Sequence, residues 1–250
     1  MTGKDRILVA LDVDDLDQVG SLIEELAGDV GGFKIGMQLG TSVGVPQACQ
    51  FVHSRGGSVF LDQKFKDIGN TVKAAARAAA RLGVLMFDVH ADGGLKMMRA
   101  AVEGRNEALV EKELTKGSMA IAITVLTSMD SSALKEIGYY DGMPVSEQVV
   151  RLTALAANSG LDGVVASAQE AVEIRKTVCD SGFVIITPAI RPEWATWAPA
   201  GDQARPTTHV EAVQAGADYI VVGRPLLRAP NRKEAAVRMA EEMDAALARA

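Results

Sequence analysis

The chain has 250 residues, 48% hydrophobic and 23% charged, with a formal net charge of −6. That balance suits a globular protein with a sizeable core; scattered lysines and arginines argue against a nucleic-acid surface but leave room for a small anionic ligand. No apolar run reaches the length of a membrane span and the N-terminus lacks a signal-peptide pattern, so the expectation is a cytoplasmic protein with neither membrane nor nucleic-acid partners.

In chain order, short apolar or β-branched runs recur at ILVALDV (7–13), GFKIG (32–36), SVFLDQK (58–64), LMFDVHA (85–91), AIAITVL (120–126), GVVA (163–166), FVIITPAI (183–190) and YIVVGRPL (219–226). Between them lie segments of helical period, among them 71–83, 146–160 and 167–178, several closing on glycine as helix C-termini do. Near-continuous apolar strands alternating with helices predict a parallel sheet covered on both faces. Eight such units in this length predict a closed (β/α)8 TIM barrel. No linker or change of composition divides the chain, so a single domain over 1–250 is expected. Two long loops follow strands, at 101–118 (part of it helical) and at 191–207; the second is a lid candidate. Its tryptophans, Trp194 and Trp197, read as packing residues, and the methionines of LKMMRA (95–100) read as core.

Cys49 and Cys179 form no C-x-x-C motif and read as reduced thiols. His53, His90 and His209 have no metal-ligand spacing, so no metal is expected.

In such a barrel the C-terminal strand ends build the site. Those ends carry Asp12, Lys34, Asp62 with Lys64, His90 with Asp92, Thr124 and Thr127, Arg191, and Gly223 with Arg224. Asp88 and His90 alternate on one face of the fourth strand and read as loop-bonding residues. FLDQKFKDIGNT (60–71) runs from an apolar strand into charge, and strand alternation puts Asp62 and Lys64 on one face with Gln63 and Phe65 on the other. Lys34, Asp62, Lys64 and Asp67 alternate in sign and predict a mutually compensated network. One such contact near 4 Å is worth about 4 kcal/mol at an effective dielectric of 20, before desolvation is charged against it. A lysine held between carboxylates favours its charged form, which suits a proton donor and not an imine-forming nucleophile. After the eighth strand, Gly223 lets the backbone approach a phosphate and Arg224 offers a bidentate fork to it.

The same stretch resembles the D-x-K-x-x-D-I-x-N-T signature of the orotidine 5'-phosphate decarboxylases. VALDV, FKIGMQL, DVHADGG, AITVLTSMD, GLDGVVASAQEA, ITPAIRP, GDQAR and GADYIVVGRP resemble further segments of that family, in order along the whole chain. Gly69 stands where the bacterial enzymes usually have proline, Ala189 where they have glycine, and Asp92 where they have serine; Gln63 and Lys66 also depart, without touching the charged positions. The resemblance implies that orotidine 5'-phosphate becomes UMP and CO2 without metal or organic cofactor, through a carbanion-like centre at C6. By the same resemblance Lys64 stabilises that centre and protonates it, Asp62 flanks the substrate carboxylate, and Lys34 orders the network and touches the ribose. Asp67, Ile68 and Thr71 would reach the site of the neighbouring subunit, so a homodimer is expected. Asp12 would contact the ribose, Thr127 the pyrimidine, and Arg191, Gln203, Gly223 and Arg224 the phosphate end or closing loop. Two alternatives stand beside this. Metal-dependent hexulose-phosphate synthases and ketogulonate-phosphate decarboxylases share D-x-K-x-x-D, but need a carboxylate pair around Mg²⁺ that the first two strand ends do not offer beyond Asp12. The other is a non-catalytic phosphate-binding barrel, which need not keep the four charged residues intact.

Overall fold

All eight apolar runs form strands, most of them trimmed, while the third runs on to Phe65 and the fifth begins at Met119. They are β1 (Ile7–Ala10), β2 (Gly32–Ile35), β3 (Val59–Phe65), β4 (Met86–His90), β5 (Met119–Ile123), β6 (Gly163–Val165), β7 (Val184–Thr187) and β8 (Tyr219–Val222) in a computed structural model that describes residues 1–112, 117–139, 142–197 and 207–249. Each strand pairs in parallel with the next, and β1 with β8, so the sheet closes on itself as a (β/α)8 barrel. A closed parallel sheet has no free edge, and every strand is covered by helices outside and by its neighbours' side chains inside.

Alternation along the strands sorts the residues into two cores. Outward-facing Val9, Phe33, Leu61 and Phe87 pack with helical residues such as Ile23, Val72, Ala76 and Met98. Inward-facing Leu8, Ala10, Phe60, Met86, Ile121, Ile186 and Val221 form a separate apolar plug that fills the barrel. Each large side chain so buried contributes about 1.5–3 kcal/mol relative to exposure. Two residues further along the same inward phase, the plug gives way to polar groups: Ala10 leads to Asp12, Phe60 to Asp62 and Met86 to Asp88. Lys34 is in register with Ala10 and Phe60, at the level of the plug, and its long side chain reaches up to Asp12 and Asp62. The barrel's apolar floor therefore carries a charged ceiling at the C-terminal ends of the strands.

The predicted helical segments appear as Gly69–Arg81, Val145–Ser159 and Ala168–Thr177. Gly160 ends the second of these in the left-handed conformation (φ 85°) that glycine adopts without a Cβ penalty. The segment 101–118, expected to be a partly helical loop, is mostly helix: Gly94–Glu111 runs without a break through Gly104. A Cβ at Gly104 would lie 2.1 Å from the backbone oxygen of Lys73, so glycine is what lets this helix close on Gly69–Arg81. Lys73 pairs there with Glu103 at 2.6 Å and Glu107 at 2.7 Å, lacing the two helices together on their solvent side. Met97 and Met98 are buried, as LKMMRA suggested. Cys49 is buried and Cys179 exposed, and both are free thiols.

The second long loop leaves β7 and returns beside it. Ile190 bridges Thr207, the Arg191 N–H donates to the Thr207 carbonyl at 2.9 Å, and Thr207 N–H donates to Ala189 at 3.3 Å. Its tryptophans pack as expected. Trp194 Nε1 donates to Glu242 Oε2 at 3.0 Å, and Trp197 Nε1 donates to the Pro225 carbonyl at 2.9 Å. The stem of the loop is thus tied both to the C-terminal helix, Arg232–Leu247, and to the turn after β8. Among the described residues, no helix is long and apolar enough to cross a membrane.

Candidate active site

A cavity of about 350 Å³ opens at the C-terminal mouth of the barrel. Asp12, Lys34, Asp62, Lys64, Asp88, Thr127, Arg191, Gly223 and Arg224 supply its polar lining, and Ile123, Val125, Val165, Pro188 and Val221 its apolar wall. One apolar side facing a row of charges suits a flat, partly polar ring carrying ionised groups.

The charges form a line. Lys34 Nζ lies 3.7 Å from Asp12 Oδ1 and 3.1 Å from Asp62 Oδ2. Lys64 Nζ donates to Asp62 Oδ1, so the Asp62 carboxylate sits between two ammonium groups. Burial deepens along the line, from a side-chain exposure of 54% at Asp12 to 12% at Lys34 and Asp62. Burial would by itself raise Asp62, but Lys34, a hydrogen bond from Asp88 and Lys64 outweigh it and hold the carboxyl well below its usual range. Burial would likewise lower Lys34, and Asp62 and Asp12 reverse that, so its ammonium is held above its ordinary value. The sign for Asp62 follows: its folded-state value is depressed, so its stabilising contribution is present above the ordinary carboxylate range and is lost as pH falls.

Two details differ from the sequence expectation. Lys64 does not share a face with Asp62 through regular pleating. Between Leu61 and Phe65 strand β3 takes four steps against two on β4, from Phe87 to Val89. Lys64 absorbs this bulge with a left-handed backbone, φ 53°. Its N–H donates to Asp88 Oδ1 at 2.7 Å in place of a strand partner. The bulge re-aims the lysine into the cavity, as bulges beside sites do. The second difference is Asp67, which does not join the network within the chain; Asp12 supplies the outer carboxylate instead. Asp67 is exposed between β3 and the following helix, and its Oδ1 accepts the Ile68 N–H at 2.6 Å. Ile68 is 73% exposed and Thr71 is exposed too, so all three stand on the rim and none lines this chain's cavity.

Beside the Asp12 end of the line, Gly223 follows β8, which pairs with β1, and Arg224 begins a short turn of helix. A Cβ on Gly223 would point at Asp12 Oδ2, 3.6 Å away, so any side chain there would intrude on the mouth. Ala189 has φ 69°, which explains why glycine is usual at that position and costs this chain roughly 1–2 kcal/mol. Gly69, where proline is usual, is the first residue of its helix, the position that accepts proline most easily. Thr127 lines the cavity, whereas Thr124 turns its hydroxyl away to the Val165 carbonyl at 2.8 Å. His90 lies outside the lining, and Asp92 is occupied by Lys66 at 2.7 Å. Gln203 lies outside the described residues.

The residue that sequence reasoning passed over is Asp88. It is fully buried beneath Asp62 and Lys64, and bonds the backbone of Lys64, not a loop. The signal was a carboxylate in the inward phase of an otherwise apolar strand, MFDVH. Among the described residues, no group of three or more His, Cys, Asp or Glu is arranged to hold a metal ion.

The sequence profile of the family described as Orotidine 5'-phosphate decarboxylase / HUMPS matches residues 5–239. A protein named orotidine 5'-phosphate decarboxylase from Heliobacterium modesticaldum is 47% identical over 251 residues, covering 100% of both chains. One of the same name from Syntrophomonas wolfei subsp. wolfei is 43% identical, covering 98% of this chain and 100% of the relative. The crystal structure of orotidine 5'-phosphate decarboxylase from Lactobacillus acidophilus superposes with a TM-score of 0.81 at 31% identity, covering 95% of this chain and 98% of that one.

Proposed function

Because the chain belongs to the Orotidine 5'-phosphate decarboxylase / HUMPS family and is a carboxy-lyase, we propose that its substrate is orotidine 5'-phosphate, which it converts to UMP and CO2 in pyrimidine biosynthesis. The observation that carries this reading is the line Asp12–Lys34–Asp62–Lys64 in one cavity, with Gly223 and Arg224 at its Asp12 end, on the strand beside β1. Arg224 grips the phosphate through charge-assisted hydrogen bonds, Asp12 and Lys34 meet the ribose, and Thr127 meets the pyrimidine. The C6 carboxylate then lies beside Asp62 and Lys64.

As the C6–carboxyl bond breaks, its electron pair stays on C6 and neutral CO2 departs. The Lys64 ammonium, already fixed in place, stabilises that pair without reorganising at the moment of reaction. It then transfers a proton to C6, giving UMP, and the amine recovers a proton from solvent. Asp62 keeps Lys64 aimed, and Lys34 keeps Asp62 ionised. Binding energy from the distant phosphate favours the transition state by fixing the ring against this array. Neither metal nor organic cofactor takes part: the Lys34 ammonium occupies the space between Asp12 and Asp62 that a cation would need. The protein works in the cytoplasm as a homodimer of single-domain chains, with Asp67, Ile68 and Thr71 completing the partner's site.

Purified protein mixed with orotidine 5'-phosphate should show the ultraviolet change of decarboxylation, undiminished by EDTA. Activity lost on chelation and restored by Mg²⁺ would move the assignment to the metal-dependent sugar-phosphate branch. The phosphate grip has its own test. Arg224→Ala should lower kcat/KM for the nucleotide by roughly 10–150-fold, the worth of one charged hydrogen bond. Decarboxylation of orotidine, which has no phosphate, should change little. Equal losses on both substrates would make Arg224 structural.

A further inference from the structure

Among the described carboxyls of the cavity, Asp88 is the one whose surroundings ask for a proton. It has 0% exposure, deeper than Asp62 above it. Oδ1 accepts the Lys64 backbone N–H at 2.7 Å, but Oδ2, equally buried, meets no donor. Its hydrogen-bonding neighbour is the Asp62 carboxylate, an acceptor like itself. Two carboxylates cannot bond without a proton between them, and a buried polar atom left unsatisfied destabilises the fold. Asp62 already takes Lys34 and Lys64 on its two oxygens, so the proton belongs on Asp88.

We propose that Asp88 is a positioning residue for the decarboxylation, donating a proton from Oδ2 to Asp62 while Oδ1 accepts the backbone N–H of Lys64. One carboxyl group thereby fixes both ends of the reacting pair: the left-handed backbone that aims Lys64, and the carboxylate that its ammonium meets. The charged groups facing Asp88 are Asp62 and Lys64 from β3 and, further off, Lys34 from β2. On β5 its register partner is the apolar Ile121. Burial first, and Asp62 second, raise Asp88 well above the usual carboxylate range, in keeping with the geometry.

This proposal rests on the decarboxylase reading for its kinetic arm, and an infrared arm stands apart from it. Asp88→Asn keeps one acceptor and one donor in the same places, and should hold kcat within about threefold of wild type. Asp88→Leu keeps the branched shape but neither bond. It should lower kcat about 100-fold, the cost of misplacing a reacting group by an ångström. KM for the nucleotide should change by less than about threefold, because the phosphate grip is untouched. The infrared difference between wild type and Asp88→Asn at neutral pH should contain the carbonyl stretch of a protonated carboxyl. Should Asp88→Leu fail to fold, the Asn variant and the infrared band still decide. Absence of the band, an Asn variant as slow as a folded Leu variant, or a Leu variant as fast as wild type would each overturn the role. Wild-type protein inert towards orotidine 5'-phosphate would sink the substrate reading instead, leaving the infrared result to judge the Asp88 proton.

Discussion

Lys64→Ala should lower turnover of orotidine 5'-phosphate by roughly four powers of ten or more, with little change in thermal stability. Proton donation from a positioned acid is worth about 10²–10⁴ in rate, and a preorganised charge at the developing anion about 10²–10³ more. Both come from the same ammonium. The fold has small stake in it, because Asp62 keeps Lys34 at 3.1 Å and so is not left as a lone buried charge. Alanine also inherits the same left-handed backbone at the bulge, so the strain neither rises nor falls. Affinity for UMP should fall far less than turnover, since the phosphate, ribose and ring contacts remain. A variant that turns over within tenfold of wild type, or one that loses UMP affinity in proportion to rate, would remove Lys64 from the chemistry.

Mixing two dead variants should restore activity. Lys64→Ala and Asp67→Ala, each nearly inactive alone, are expected to recover about a quarter of wild-type activity after co-refolding in equal amounts, given a two-fold dimer with shared sites. Half the dimers are then mixed, and each mixed dimer holds one site lacking both residues and one site intact. The placement of Asp67 motivates the experiment. It stands exposed on the rim, away from its own chain's cavity, beside an isoleucine left 73% exposed. A charged residue on the rim of the barrel mouth with no role in its own pocket suits a site shared with a second subunit. No recovery, with exchange of subunits independently confirmed, would place Asp67 in its own chain's site or outside the chemistry.

The barrel was legible because its strands are continuous apolar runs of β-branched residues, a pattern no amphipathic helix imitates. The charged ceiling was legible for a related reason: Asp12, Lys34, Asp62 and Lys64 interrupt those runs at matching ends. What the sequence hid depends on contacts between elements. Gly104 looked like a loop residue in 101–118, and its reason is the backbone of Lys73 on another helix. The bulge at Lys64 depends on Asp88, twenty-four residues away along the chain, and nothing within FLDQKFKDIGNT announces it. Alternation in sign did not fix which neighbours Asp67 meets past the end of its strand; the resemblance directed it to another subunit, and in its own chain it stands exposed on the rim. Ala189 shows the converse: a departure from the usual glycine was visible, but its φ of 69° was not.

On the role proposed for Lys64, its left-handed backbone sets protein stability and turnover against each other at a single residue. A non-glycine side chain in that conformation costs roughly 1–2 kcal/mol, which glycine would return to the folded state. Every copy of the enzyme therefore forgoes part of its margin against unfolding to keep an ammonium in place. Directed evolution for heat resistance alone would be drawn to glycine at this codon, and only a screen that also demands product would hold the lysine.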